Sequence, residues 1–210
     1  MPGRPRAKGI IRAAVIAAGA LGFGFAIPAQ AQFSDGYKFL EAVRKKEGDK
    51  VESALSTPGA TIVNTRDVTS GETALHIVTA RRDLTWLQYL AVKGANVNAR
   101  DGQGRTPLQL ATNLGWRDGV AMLLERKANT EVANDAGETP LISAVHRHDI
   151  EMAKLLLRAG ANPDRADNSG RTARDYAQLE GASGGMLNAI KTETKPGASR
   201  SNKPTYGPSL

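Results

Sequence analysis

Cysteine is absent from all 210 residues. No disulfide, thiolate metal site or cysteine nucleophile is available, so the fold must be held by packing alone. The phosphate-cradling patterns G-x-x-x-x-G-K-[ST] and G-x-G-x-x-G are missing after residue 31. Histidine is scarce: His76, His146 and His148 are the whole set. His146 and His148 lie two apart, which puts them on different helix faces, and no cysteine can complete a zinc set with them. Asp164, Asp167 and Asp175 do not have calcium-loop spacing. The longest apolar run, residues 13–27, is short of the roughly 20 residues that cross a bilayer.

Charge of one sign is missing from the body of the chain. The formal net charge is +7. Residues 1–31 carry Arg4, Arg6, Lys8 and Arg12 and no acid, and residues 191–210 carry Lys191, Lys195, Arg200 and Lys203 against Glu193. Of 28 basic and 21 acidic side chains, 20 of each are left for residues 32–190, a neutral body. A nucleic-acid partner, which needs a basic face, is not expected. The first 31 residues read as a secretory signal peptide: a cationic start, the apolar run, then Pro28-Ala29-Gln30-Ala31, with cleavage expected between Ala31 and Gln32. That ordering predicts an exported protein with no membrane span after processing.

What is present is a period. Thr73, Thr106, Thr139 and Thr172 fall 33 residues apart, and Gly71, Gly104, Gly137 and Gly170 keep the same step. A fixed step of this length means stacked supersecondary units. Each unit offers a short apolar helix pattern and then a second one. The second helices carry Leu84, Trp86, Leu87 and Leu90, then Val120, Met122, Leu123 and Leu124, then Ile150, Met152, Ala153, Leu155, Leu156 and Leu157. Such helices are too short to stand alone and must be buried by neighbours. The threonines can cap the first helices, with Pro107 and Pro140 at their first positions. Gly94 and Gly160 close the second helices where a left-handed backbone is needed, but Lys127 stands there in the middle unit. With Gly119 inside its second helix as well, the middle repeat is expected to be the weak one.

The phrases Thr73-Ala-Leu-His-Ile-Val78, Thr106-Pro-Leu-Gln-Leu-Ala111, Thr139-Pro-Leu-Ile-Ser-Ala144 and Thr172-Ala-Arg-Asp-Tyr-Ala177 resemble the opening of the ankyrin repeat. Gly94-Ala-Asn-Val-Asn98, Lys127-Ala-Asn-Thr-Glu131 and Gly160-Ala-Asn-Pro-Asp164 resemble its close. The resemblance implies an all-α solenoid of stacked helix-turn-helix units with hairpin-like finger loops. With the leader, it also implies a bacterial, periplasmic protein. An N-terminal capping repeat is placed at 32–66, with Asp49 capping its second helix. Ankyrin repeats follow at 67–100, 101–133 and 134–166, then a C-terminal capping repeat at 167–190. A basic tail at 191–210 has the composition of a disordered segment. The closing phrase before Gly71 carries two extra residues, which predicts a longer first finger loop.

The resemblance further implies that His76 ties adjacent loops and that a partner protein meets the finger tips and the exposed side of the first helices. Carried over position by position, the candidate partner-binding residues are Glu72, Arg81, Gln103, Arg105, Asn113, Leu114, Asp135, Glu138, His146, Arg147 and Arg171. The arginines among them are expected to line the groove. No catalytic, cofactor-binding or metal-binding residue is expected, and the array is expected to be a monomer. Gly181-Ala182-Ser183-Gly184-Gly185 fits a serine-hydrolase elbow by letters, but that elbow needs a strand before it and a parallel sheet beneath it. The other expected role is an envelope tether attached through the basic tail, whose expected contact with an anionic surface is weak and salt-dependent.

Overall fold

The computed structural model describes residues 34–56, 61–179 and 185–194. The leader, residues 181–184 of the serine-containing loop and the tail beyond Thr194 lie outside the described residues.

Within these residues the chain forms ten α-helices arranged as five antiparallel pairs. They are α1 (Asp35–Lys45) with α2 (Gly48–Leu55), α3 (Ala74–Ala80) with α4 (Leu84–Val92) and α5 (Pro107–Asn113) with α6 (Arg117–Glu125). The series ends with α7 (Pro140–His146) and α8 (Ile150–Arg158), then α9 (Ala173–Leu179) and α10 (Gly185–Glu193). First helices stack α1–α3–α5–α7–α9, while α6 lies against α4 and α10 against α8. Two isolated antiparallel bridges, Arg66 with Thr73 and Ala166 with Thr172, are the extended pairings among the described residues.

The repeated letters become repeated hydrogen bonds. Thr106 Oγ1 and Thr139 Oγ1 accept the N–H groups of Gln109 and Ile142, closing the first turns of α5 and α7. In the closing phrase, the asparagine side chains of Asn96, Asn129 and Asn162 each accept the N–H two residues on, at 2.9, 2.8 and 3.0 Å. The alanines before them, Ala95, Ala128 and Ala161, are buried. Leu75, Leu108 and Leu141 are fully buried between pairs, with Leu87, Leu90, Leu123, Leu156 and Leu157 beside them. Each pair therefore completes its core only with its neighbours.

Three details differ from the expectations. Asp49 does not cap α2: the helix starts at Gly48 after Glu47, and no side chain caps it. Helix α10 continues past Ile190 to Glu193, whose carboxylate takes two bonds from the Arg158 guanidinium (3.0 and 2.7 Å). The fold thus runs three residues into the expected tail. The two extra residues before Gly71 separate: one sits at the loop tip between Asp67 and Gly71, and the other lies upstream of Asn64.

Lys127 adopts the left-handed backbone that Gly94 and Gly160 adopt in its neighbours, at φ 62°. The first helices end the same way, at Lys46, Arg82, Gly115 and His148, only one of which is glycine. The middle repeat departs once more. Asp83 and Asp149 cap α4 and α8 by accepting from Trp86 and Met152, but Trp116 stands there before α6 and no side chain caps it. Gly119 has a packing reason beyond helix propensity. A Cβ on it would lie 2.1 Å from the Trp116 ring, so the missing side chain is the indole's seat. Gly119→Ala is expected to destabilise the protein by about 1–3 kcal/mol through overpacking. In a Trp116→Asp background the same change is expected to stabilise by up to about 1 kcal/mol, as alanine does in an open helix. Urea midpoints of the four proteins check the change of sign.

Candidate protein-binding groove

The groove is built by the short first helices and by the finger loops that enter them. Each finger loop is a turn anchored by one acceptor side chain: Asp67, Asp101, Asn134 and Asp167. Asp101 Oδ1 accepts the N–H groups of Gln103 and Arg105, both at 2.9 Å. Asn134 and Asp167 hold Ala136 with Glu138, and Ser169 with Arg171, in the same way. These anchors escaped the sequence reading. Their signal was the residue three or four places before each repeated glycine, always Asp or Asn.

Successive fingers are tied across the repeat step. Gly102 N–H donates to the Ser70 carbonyl at 2.8 Å, and Asn168 N–H donates to Ala136 at 3.3 Å. Below them, Asn64 and Asn98 accept the N–H groups of Asn96 and Asn129 one repeat on, and Glu131 accepts that of Asn162. His76 makes the expected tie. Its Nδ1 faces Thr73 N–H (3.2 Å) and Oγ1 (2.9 Å) and so accepts, leaving Nε2–H to donate to the Arg105 carbonyl at 2.9 Å. Burial lowers its pKa, in keeping with a neutral ring. Gln109 takes the same place one repeat later and donates to the Glu138 carbonyl at 2.7 Å. Ile142, next in register, has nothing to donate.

The predicted contact residues fall into two sets. Arg81 is turned inward: its guanidinium donates to the Val43 carbonyl, lies 3.3 Å from Asp83 and sits over the Trp86 ring at 5.4 Å. Arg105 is clamped on its own loop anchor, with its guanidinium 2.7 Å from Asp101. Glu72 accepts from Ser70, and Glu138 accepts from Asn134 while facing His146 at 3.4 Å. Gln103, Asp135, His146, Arg147 and Arg171 are exposed, and Asn113 and Leu114 are half-buried. The four arginines do not form one line. Arg81 and Arg147 end first helices, whereas Arg105 and Arg171 precede them, so two rows run along the groove about 10 Å apart, the length of a seven-residue helix.

At the C-terminal end the two rows are joined by aromatic contacts. Arg171 lies over Tyr176 at 5.8 Å, and Tyr176 meets His146 edge-on at 4.4 Å. The Tyr176 hydroxyl donates to Asp167 at 2.7 Å. Among the described residues no group of three histidine, aspartate or glutamate side chains could hold a metal, and no helix is long and apolar enough to cross a membrane.

The fold is that of a helical repeat solenoid, and its loops carry the 33-residue hydrogen-bond register. Family models for ankyrin repeats match the chain twice, one for three copies over residues 39–134 and one for many copies over residues 123–177. The chain belongs to the ankyrin-repeat family. Ankyrin repeats generally mediate protein–protein interaction and are typically non-catalytic. Mouse (Mus musculus) diacylglycerol kinase iota is similar at 33% identity over 86 residues. That match covers 41% of this chain and 8% of the relative, so the chain spans less than a tenth of that protein's length.

The finger anchors bear on acid stability. Burial alone would raise the Asp67 carboxyl. The N–H groups of Ser70 and Thr69 and the Arg44 guanidinium at 2.6 Å outweigh it and hold the group down at about 2. Asp167 is likewise held at about 2, where Ser169, Tyr176 and the Arg171 N–H outweigh burial. A carboxyl lowered on folding contributes stability above its unfolded pKa of 3.8 and loses it as pH falls toward 2. Asp67 alone should contribute on the order of 1–2 kcal/mol at neutral pH. Asn134 shows that an amide can anchor the same turn. Asp67→Asn with Asp167→Asn is therefore expected to lower stability at pH 7 and to flatten its fall between about pH 4 and 2. Urea unfolding across that range measures both.

Proposed function

We propose that this chain is a non-catalytic binding module that takes a partner protein in its concave groove and against its finger loops. The observation that carries this reading is the division of the groove's side chains. Arg81, Arg105 and Glu72 are occupied by partners within the array, while Gln103, Asp135, His146, Arg147 and Arg171 are left exposed and Asn113 and Leu114 half-exposed. A surface held rigid from beneath loses little entropy when a partner settles on it.

The leader and its small-residue end support export, processing between Ala31 and Gln32 and residence in the periplasm. The tether reading keeps one observation in its favour, since Lys195, Arg200 and Lys203 have no acid among them. The cut that tests it belongs after Thr194, because Glu193 is bonded to Arg158 inside the array.

A photo-crosslinking residue placed at Gln103 or Asn113, compared with one at Glu125 on the second-helix side, tests the groove. A partner protein is expected on Gln103 and Asn113 and not on Glu125. Crosslinks from Glu125 alone would reverse the assignment of faces. Cell fractionation of the same chains, whole and cut after Thr194, is expected to return both forms in the periplasm beginning at Gln32. Loss of the cut form from the envelope would favour the tether.

A further inference from the structure

The hydrogen-bonding groups in the C-terminal half of the groove are unevenly filled. Its acceptors, Asp135 apart, are in use. Asp167 takes the N–H groups of Ser169 and Arg171, the Ser169 hydroxyl and the Tyr176 hydroxyl. Glu138 takes the Asn134 amide and faces His146. Asp135 is left exposed, with Arg100 at 3.9 Å.

Its donors are not in use to the same degree. Arg147 is exposed and has no ion pair within 4.0 Å among the described residues, although its charge helps to lower the Asp149 carboxyl that Arg117 holds, and its guanidinium reaches over Gly115, where a Cβ would come within 3.0 Å of it. Arg171 is exposed and rests on the Tyr176 ring. In the N-terminal half the corresponding arginines are withdrawn from the surface: Arg81 is turned inward onto Val43 and Asp83, with its Nε and Nη2 buried and without a hydrogen bond, and Arg105 is held by Asp101. The asymmetry is a property of this chain and not of the repeat, because the same two register positions behave oppositely at the two ends.

Between the open guanidiniums lies a continuous floor. Arg171 touches Tyr176, Tyr176 touches His146, and Arg147 follows His146 and covers Gly115 beside Leu114. In register with Asn113 and His146, Leu179 adds a side chain 70% exposed at the far end. An aromatic and aliphatic floor carrying two unfilled, planar donors suits carboxylates set on a chain with apolar side chains between them. Resting on the groove reading above, we propose that the C-terminal half of the groove binds an acidic, apolar-interrupted segment of the partner polypeptide, its carboxylates held by Arg147 and Arg171.

The probe is an end-blocked peptide alternating glutamate with leucine, titrated into the full chain beside its glutamine counterpart. The glutamate peptide is expected to bind about tenfold more tightly than the glutamine one, and to weaken as ionic strength rises from about 0.05 to about 0.3 M. Arg147→Ala with Arg171→Ala is expected to remove about tenfold of that affinity. The thermal midpoint should stay unchanged, since both side chains are exposed. Equal binding of the two peptides, no binding of either, or an indifferent double variant overturns the proposal. So does binding of inorganic polyphosphate, but not peptide, through the same arginines. A partner that still crosslinks at Gln103 and Asn113 while the glutamate peptide fails leaves the groove reading standing and removes only its acidic specificity. A peptide that binds as expected while no partner crosslinks there separates the two in the other direction.

Discussion

The constraint on which this structure depends is that no helix pair can satisfy itself. Seven- and nine-residue helices bury too little apolar surface and leave too many backbone groups open to persist in isolation. Every pair therefore borrows from the next. The borrowing is hydrophobic through Leu75, Leu108 and Leu141, and polar through His76, Gln109, Asn64, Asn98 and Glu131. The 33-residue period is the chemical trace of that arrangement, because each lender must meet its borrower one step along the chain.

This constraint also decides which surface residues remain available. A charged side chain near a repeat junction can complete the junction or be left over. Arg82 donates to the Leu114 carbonyl one repeat on, and Arg117 pairs with the Asp149 cap at 2.6 Å. Sequence register alone treats Arg81 and Arg147 as equivalent, since they stand 66 residues apart. Each precedes a register-equivalent aspartate, but Arg81 meets Asp83 at 3.3 Å and lies over Trp86, whereas Asp149 is taken by Arg117 at 2.6 Å and the Arg147 guanidinium lies against Gly115 of the preceding repeat.

The architecture was legible in the letters wherever one residue type does one backbone job. Thr106 and Thr139 cap, Pro107 and Pro140 start helices, and the Ala-Asn pairs close them, because few alternatives serve at those positions. Left-handed positions were half legible. Gly94 and Gly160 announced theirs, but Lys46, Arg82 and His148 occupy the same conformation behind ordinary letters, since the surrounding turn imposes it. The end of α10 was misjudged because Lys191, Thr192 and Glu193 carry no apolar signal. A long-range bond from Arg158 holds that turn, and local sequence does not encode it. Of the groove, the positions were legible and the occupancy was not. Whether a guanidinium is free depends on atoms 10 to 40 residues away in sequence, as with Arg81 and Val43.

The ties between repeats also change along the array. His76 is held by two groups of Thr73 and donates to the Arg105 carbonyl, the Gln109 side chain donates to one carbonyl, and the Ile142 side chain donates to none. The finger-to-finger bonds lengthen in the same direction, from 2.8 Å at Gly102 to 3.4 Å at Asp135 and 3.3 Å at Asn168. At the junction between the third repeat and the C-terminal unit, side chains add to the backbone bond: the Asn168 amide donates to the Asp135 carbonyl at 2.9 Å, Tyr176 meets His146, and Arg174 pairs with Asp164 at 2.7 Å. Of these, the Tyr176–His146 contact is the one that faces the groove and bridges two units. A ligand seated on His146 and Tyr176 would contact both sides of that junction at once. It would add there the connection that His76 and Gln109 supply at the earlier steps.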